Sequence, residues 1–191
     1  MRRDAPKEPW LSFLNDLDCR VEHPLELHCI GGFAVVQAYG LHRTTADIDV
    51  IGVVPFDSDQ GLIEIAGKES ALRGKHRIYL DIVTASSVPE DHATRLVALY
   101  PGCWEKLRLF ALEAHDLALT KRERNSERDR GDVEHLARSG YLNAATLRQR
   151  YRDEMRPYVI GRNSWHDQTL EMWIAAYLPH QAPENFRHAD P

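Results

Sequence analysis

Three aspartates and a pair of glycines are the residues of this chain whose types and spacing could do chemistry. Asp47 and Asp49 stand two apart at the start of an apolar run that continues to Val54. Strand side chains alternate with a period of two. The two carboxylates therefore share a face, and Ile48 turns the other way into the core. Carboxylates held that close repel each other unless a cation lies between them. Hard oxygen ligands with open positions suit Mg²⁺, with Mn²⁺ as an alternative. Asp81 is the third acid. It lies in the middle of the apolar run Arg77–Thr84, where a lone charge is costly without a partner. If that run pairs beside the one carrying Asp47, the three carboxylates converge. Such a set suits two-metal chemistry, in which one cation activates a hydroxyl and the other neutralises leaving phosphates. Gly31-Gly32 supplies what a triphosphate needs. Glycine lets backbone approach phosphate oxygens, and a helix N-terminus presents unpaired N–H groups. No GxxxxGK[ST] sequence occurs.

Positioning these groups requires a strand over Leu25–Ile30, a helix from Gly31 closed by Gly40, and a strand over Asp47–Val54 stopped by Pro55. It also requires a strand over Arg77–Thr84, with Ile78, Leu80 and Ile82 on one side and Tyr79, Asp81 and Val83 on the other. Ahead of them, Trp10, Phe13, Leu14 and Leu17 have helical spacing, ending near Asp18–Arg20. Asp57–Leu72 reads as one helix, weakened by Gly61 and Gly67, with a turn at Gly74-Lys75-His76. Arg95-Leu96-Val97 reads equally as helix or strand, and Leu107–Leu112 as a short strand. The remainder is helical: Ala114–Arg124, Glu127 to about Arg138 behind the N-cap Ser126, Ala144–Met155 closed by Pro157, and His166–Leu178. From Pro179 onward a loose tail is expected. The expected fold class is α/β (α+β), a mixed sheet flanked by helices with a helical C-terminal half. The division expected is a catalytic core over 1–112, a helical region over 113–178 packed on it, and a tail over 179–191.

The chain has 191 residues, 43% hydrophobic and 28% charged, which suits one folded domain or a domain with a small appendage. A net charge of −5 gives no bulk attraction to nucleic acid. Cys19, Cys29 and Cys103 form an odd set without CxxC spacing. They argue for a reducing compartment and against a disulfide frame or zinc knuckle. No apolar run approaches the roughly 20 residues of a membrane span, and the polar start MRRDAPKEPW is unlike a secretory signal. A cytoplasmic protein without a membrane partner is expected.

The order Gly-Gly, then Arg43-Thr44-Thr45-x-Asp47-x-Asp49, then a strand aspartate resembles the nucleotidyltransferase (DNA polymerase beta-like) superfamily. The second half narrows the resemblance. Asp116-Leu-Ala-Leu-Thr-Lys121, followed by Glu127-Arg128-Asp129-Arg130-Gly131-Asp132, is similar to the DLxxxK and KDxxD helices of its bacterial abortive-infection, or type IV toxin, branch. The likeness covers about residues 25–138. It implies Mg²⁺-dependent transfer of a nucleoside monophosphate from an NTP, with release of pyrophosphate. It also implies that Asp47, Asp49 and Asp81 form the catalytic, metal-binding triad and that Gly31 and Gly32 touch the triphosphate, with Arg43 and Thr45 beside them. Lys121 would contact a nucleotide phosphate, and Asp132, with Asp129, would hold Lys121 or Arg43. Arg128 stands where the branch more often has Lys, and the two cations differ in geometry. The branch implies an RNA acceptor, typically a tRNA 3′ end, and an antitoxin partner from a two-gene pair. Other relatives use small hydroxylated molecules or protein side chains.

Each feature taken singly has a plainer reading. Asp47 and Asp49 fit a solvated strand end, Gly31-Gly32 a tight turn, and Arg43 a partner for Asp47. Lys121 fits an exposed helix lysine, and Asp129 and Asp132 a salt-bridge face. Cys29 fits a small core residue, and the ten histidines show no HExxH. Two other functions use the same residues: a nucleotide- or partner-binding module without turnover, and a metal-dependent phosphohydrolase.

Overall fold

A computed structural model of the chain describes residues 5–55, 59–84 and 87–181. It divides into two units, Met1–Ser86 with Leu96–Leu112, and Ser87–Arg95 with Glu113–Pro191. The fold is mixed α/β.

The first unit holds the sheet. Its helices are α1 (Trp10–Arg20), α2 (Gly31–Tyr39), α3 (Asp59–Ala66) and α4 (Ala71–His76). Its strands are β1 (Leu25–Ile30), β2 (Asp47–Val54), β3 (Tyr79–Ile82), β4 (Val97–Leu99) and β5 (Leu107–Ala111). Among the described residues they form one five-stranded sheet in the order β3-β2-β1-β5-β4. β1 runs antiparallel to β2 and parallel to β5, while β2 runs parallel to β3. The α1 face expected from its spacing is buried: Phe13, Leu14 and Leu17 are inaccessible to solvent, and Trp10 meets Phe33 of α2 edge-on at 4.9 Å. Asp18, near the end of α1, accepts hydrogen bonds from the backbone of Glu105, Lys106 and Leu107, which fixes the approach to β5.

β2 carries one extra residue. The pairs His28↔Gly52 and Cys29↔Val50 pass over Ile51. A bulge of this kind shifts the side-chain alternation by one. Ile48, Val50 and Val53 are all buried as a result, while Asp47 and Asp49 stand half-exposed on the opposite face.

Several boundaries depart from the sequence pattern. The helix expected over Asp57–Leu72 is two helices, and residues 56–58 lie outside the described ones. Gly67 through Ser70 interrupts it, and Ser70 caps α4 by accepting from the Arg73 amide at 3.1 Å. Gly74-Lys75-His76 therefore lies inside α4 rather than in a turn. The side chains of Lys75 and His76 reach Asp16 of α1. The strand expected from Arg77 begins at Tyr79, because Arg77 adopts a left-handed conformation that ends α4. The ambiguous segment at Arg95–Val97 leads into the three-residue strand β4.

The second unit is helical: α5 (Ala114–Thr120), α6 (Glu127–Arg138), α7 (Ala144–Arg150) and α8 (Asn163–Tyr177). α5 stops at Thr120, short of the expected Arg124, and residues 121–124 form a turn. α6 has the expected start. Ser126 and Asp129 form a reciprocal capping box. The helix expected over Ala144–Met155 changes character after Arg150 into one π turn, Tyr151–Met155, and a 3₁₀ turn through Tyr158. α8 begins at Asn163, three residues earlier than expected; Pro179–Gln181 forms a 3₁₀ turn, and the rest of the expected tail, 182–191, lies outside the described residues. No helix among the described residues is long and apolar enough to cross a membrane.

Buried ion pairs hold this unit together. Asp116, fully buried, accepts from Arg95 Nε and Nη2 at 2.9 and 3.1 Å and from Arg150 Nη1 at 2.9 Å. Arg95 also grips Glu154, at 2.6 Å from Nη2, and Arg150 also reaches Glu113. This ties the segment Ser87–Arg95 to α5, α7 and the π turn. Arg122 is nearly inaccessible. Its guanidinium lies 4.1 Å from the Tyr151 ring centroid, and its Nε donates to His166 Nδ1 at 3.3 Å. Burial pushes the Arg122 pKa down.

Two predictions follow from these ions. Asp116→Ala leaves two guanidinium groups facing one cavity, and breaking a buried pair costs about 3–5 kcal/mol. Urea unfolding of that variant should show a loss of this size. Burial opposes ionisation of Glu113 and Asp129, yet each is held down at about 2, Glu113 by His115 and Arg150, Asp129 by Arg124 and Ser126. A depressed folded pKa adds stability that is present above the unfolded value and lost as pH falls through the folded one. Unfolding midpoints should therefore drop as pH falls from about 4.5 to about 2, and Glu113→Gln/Asp129→Asn should flatten that slope.

Candidate active site

The acidic face of the sheet is built by strand register. Asp49 of β2 pairs with Asp81 of β3, and Asp47 pairs with Tyr79. Partners in a parallel ladder project to the same side, about 4.8 Å apart. Asp47, Asp49 and Asp81 consequently occupy one face, two on β2 and one beside them on β3. Thr45 donates its hydroxyl to Asp47 Oδ1. Asp81 lies against Lys68, whose Nζ stands 3.0 Å from Oδ2.

The glycine pair meets this face. β1 runs straight into α2, and Ile30, its last residue, pairs with Asp49. Gly31 has φ +65°, and a β-carbon there would overlap Asp49 Oδ2 and lie 3.0 Å from the carboxyl carbon. A β-carbon on Gly32 would fall 2.5 Å from Arg43 Nη2. The first turn of α2 is thus pressed against an acid of the triad and against a guanidinium. The lack of side chains on its first two residues is what lets the Asp49 carboxylate and the Arg43 guanidinium come this close to the helix start. Arg43 and Thr45 also line a cleft of about 530 Å³ with Trp10, Val36 and Gln37. That volume lies within the range of small-ligand pockets.

The electrostatics follow the acids. Burial, then Asp47, with lesser contributions from Asp81 and Asp49, push the Tyr79 hydroxyl pKa up against the opposing effect of Lys68. Asp81 first, then Tyr79 and Asp47, raise the Lys68 ammonium. Burial, with Asp49 nearby, raises the Cys29 thiol.

A divalent cation suits this donor set by chemistry: three carboxylates, all hard oxygen ligands. Among the described residues, no three of His, Cys, Asp and Glu stand close enough to share one. The carboxylates are drawn instead to Thr45 and Lys68. Register places Asp49 and Asp81 on paired strand positions, with Asp47 on the same face.

The remaining expected residues lie in the second unit. Lys121 donates to Asp132 Oδ2 at 2.7 Å, with side chains 3% and 2% exposed. Asp129 does not hold Lys121. Its carboxylate serves the capping box and accepts from Arg124 at 2.6 and 2.8 Å. Asp129 and Asp132 are both buried, so a solvated charged face does not describe them. Asp116, the first residue of the DLxxxK resemblance, is the buried anchor of Arg95 and Arg150. Lys68 and Tyr79 escaped the sequence reading. Lys68 follows a glycine in an unexpected break between helices, and Tyr79 looked like an ordinary strand aromatic.

Residues 13–177, well over half of the chain, match the family model described as "Nucleotidyltransferase of unknown function (DUF6036)". The chain belongs to this nucleotidyltransferase family. No curated protein and no solved structure matches it. In this family member the glycine pair gives a direct test of the geometry. Gly31→Ala meets both a left-handed backbone and the Asp49 carboxylate, whereas Gly32→Ala meets the movable end of Arg43. The left-handed conformation alone costs a non-glycine residue about 1–2 kcal/mol. Thermal denaturation should show Gly31→Ala less stable than Gly32→Ala by at least about that amount.

Proposed function

We propose that the chain is a metal-dependent nucleotidyltransferase that moves a nucleoside monophosphate from an NTP to an acceptor hydroxyl, releasing pyrophosphate. The observation that carries this reading is the register of β2 and β3. It sets Asp49 beside Asp81, with Asp47 on the same face, against the glycine-opened end of α2. Mg²⁺, or Mn²⁺, held by those three carboxylates would supply charge neutralisation and a lowered hydroxyl pKa.

The chain's own groups bind and orient. Amides at the start of α2 take phosphate oxygens. Arg43, lying against Gly32, adds a positive charge beside those amides. Thr45 orients Asp47. Lys121 is assigned to a nucleotide phosphate, with Asp132 holding it, an assignment supported by motif spacing and by their ion pair. Resemblance to the toxin branch favours an RNA 3′ end, such as a tRNA, as acceptor and an antitoxin as protein partner. A small hydroxylated molecule or a protein is the alternative acceptor. Three free cysteines suit a reducing compartment, and we place the protein in the cytoplasm. A second reading, a nucleotide-binding module without turnover, is favoured by the contact of Asp81 with Lys68.

Label transfer separates the two. Purified protein, Mg²⁺ and total tRNA are incubated with each NTP radiolabelled at its α-phosphate, beside an Asp47→Ala/Asp49→Ala control. The expected outcome is labelled RNA with at least one NTP, reduced about a thousand-fold in the control. NTP binding without label on RNA or protein favours the module or a small-molecule acceptor, and absence of NTP binding discards both readings.

A further inference from the structure

We propose that Lys68 is the counter-ion of the carboxylate cluster before metal binds and, once displaced, a phosphate-binding residue for the nucleotide. This rests on the nucleotidyltransferase reading above and adds to it a residue that none of the sequence motifs contains.

Lys68 lies in the short connection between α3 and α4. Its ammonium stands 3.0 Å from Asp81 Oδ2 and 5.2 Å from the centroid of the Tyr79 ring. Tyr79 and Asp81 are the register partners of Asp47 and Asp49. The ammonium is therefore at the margin of the face where the three acids would gather around a cation. Acids on adjacent strand positions need a counter-charge, and Lys68 gives one to Asp81.

The contact is built to be surrendered. The side chains are 58% and 42% exposed, and an ion pair in water is weak and screened. A divalent cation held by Asp47, Asp49 and Asp81 would compete with it for Asp81. Lysine carries a compact charge on a flexible four-carbon stem, so the ammonium can leave Asp81 without moving the backbone. β3 is an edge strand of the sheet, which leaves Lys68 beside an open margin of the site. The residues run in order across the face: the α2 start at Asp49, then Asp81, then Lys68. A triphosphate held at the α2 amides and spanning the carboxylates has the freed ammonium at its opposite side. Three N–H donors on a point charge suit a phosphate oxygen there.

The two roles give effects of opposite sign in one variant. Mn²⁺ binding without nucleotide is measured by electron paramagnetic resonance of the free ion. Binding of a non-hydrolysable NTP analogue with saturating Mg²⁺ is measured by calorimetry. Lys68→Met should bind Mn²⁺ about three-fold more tightly, because a competing ion pair is gone. It should bind the analogue about ten-fold more weakly, because a charged phosphate contact is gone. Lys68→Gln should behave like Lys68→Met, and Lys68→Arg should stay near wild type in both assays. A wild type that binds Mn²⁺ and analogue while neither neutral variant shifts either affinity overturns the Lys68 assignment alone. A shift in only one assay overturns the role tied to the other. A wild type that binds neither ligand overturns the nucleotidyltransferase reading and this assignment with it.

Discussion

The start of α2 is packed so tightly against β2 that its first two residues have no room for side chains. A β-carbon on Gly31 would collide with Asp49, and one on Gly32 would press on Arg43. The rest of the acidic face depends on this approach. β1 passes into α2 without a linker, so pairing of β1 with β2 sets the distance from helix end to carboxylate. Pairing of β2 with β3 then sets Asp81 beside Asp49. One continuous hydrogen-bond ladder positions a helix N-terminus and three acids. A negative carboxylate at the positive end of a helix is itself favourable, so the arrangement is stable before any ligand arrives.

The aspartates of the chain fall into two populations. Asp47, Asp49 and Asp81 are half-exposed and share one face of the sheet. Asp116, Asp129 and Asp132 are buried, and each carries a cation: Arg95 and Arg150 on the first, Arg124 on the second, Lys121 on the third. Buried charge is tolerated only when paired, which explains why these acids come with partners from other turns and helices. The second group therefore organises a helical unit, while the first stays within reach of solvent on the sheet face.

How much of this was legible in the chain depended on the range of the interaction responsible. Local patterns carried well: the alternation around Asp81, the apolar segment between Gly31 and Gly40, and the Ser126 cap were each readable from a few neighbours. The mixed sheet with a helical second half was legible for the same reason. The break between α3 and α4 was not, because the apolar spacing continues through it and only the Ser70 cap reveals a new start. The early stop of α5 before Lys121 and the π turn after Arg150 depend on how distant side chains pack. Asp129 and Asp132 read singly as a salt-bridge face, and the arginines of Asp116 and Asp129 lie at separations that no periodicity reports. Lys68 was hidden for a similar reason: its partner is thirteen residues away, on a strand edge.

The extra residue in β2 gives the strand two phases. On one side of Ile51 the odd-numbered positions face the acidic surface, and on the other side an odd-numbered one, Val53, faces the core. The strand therefore counts from two origins. The scaffold end is indexed to Leu27 and the hydrophobic interior, and the chemical end to Ile30 and the helix start. Which surface the acid pair emerges on is thus fixed by the parity of the residues between these anchors, and not by any contact the acids make. Substitutions that keep Ile48, Val50 and Val53 apolar leave this count intact, but a change of the strand's length by one would turn the acids inward.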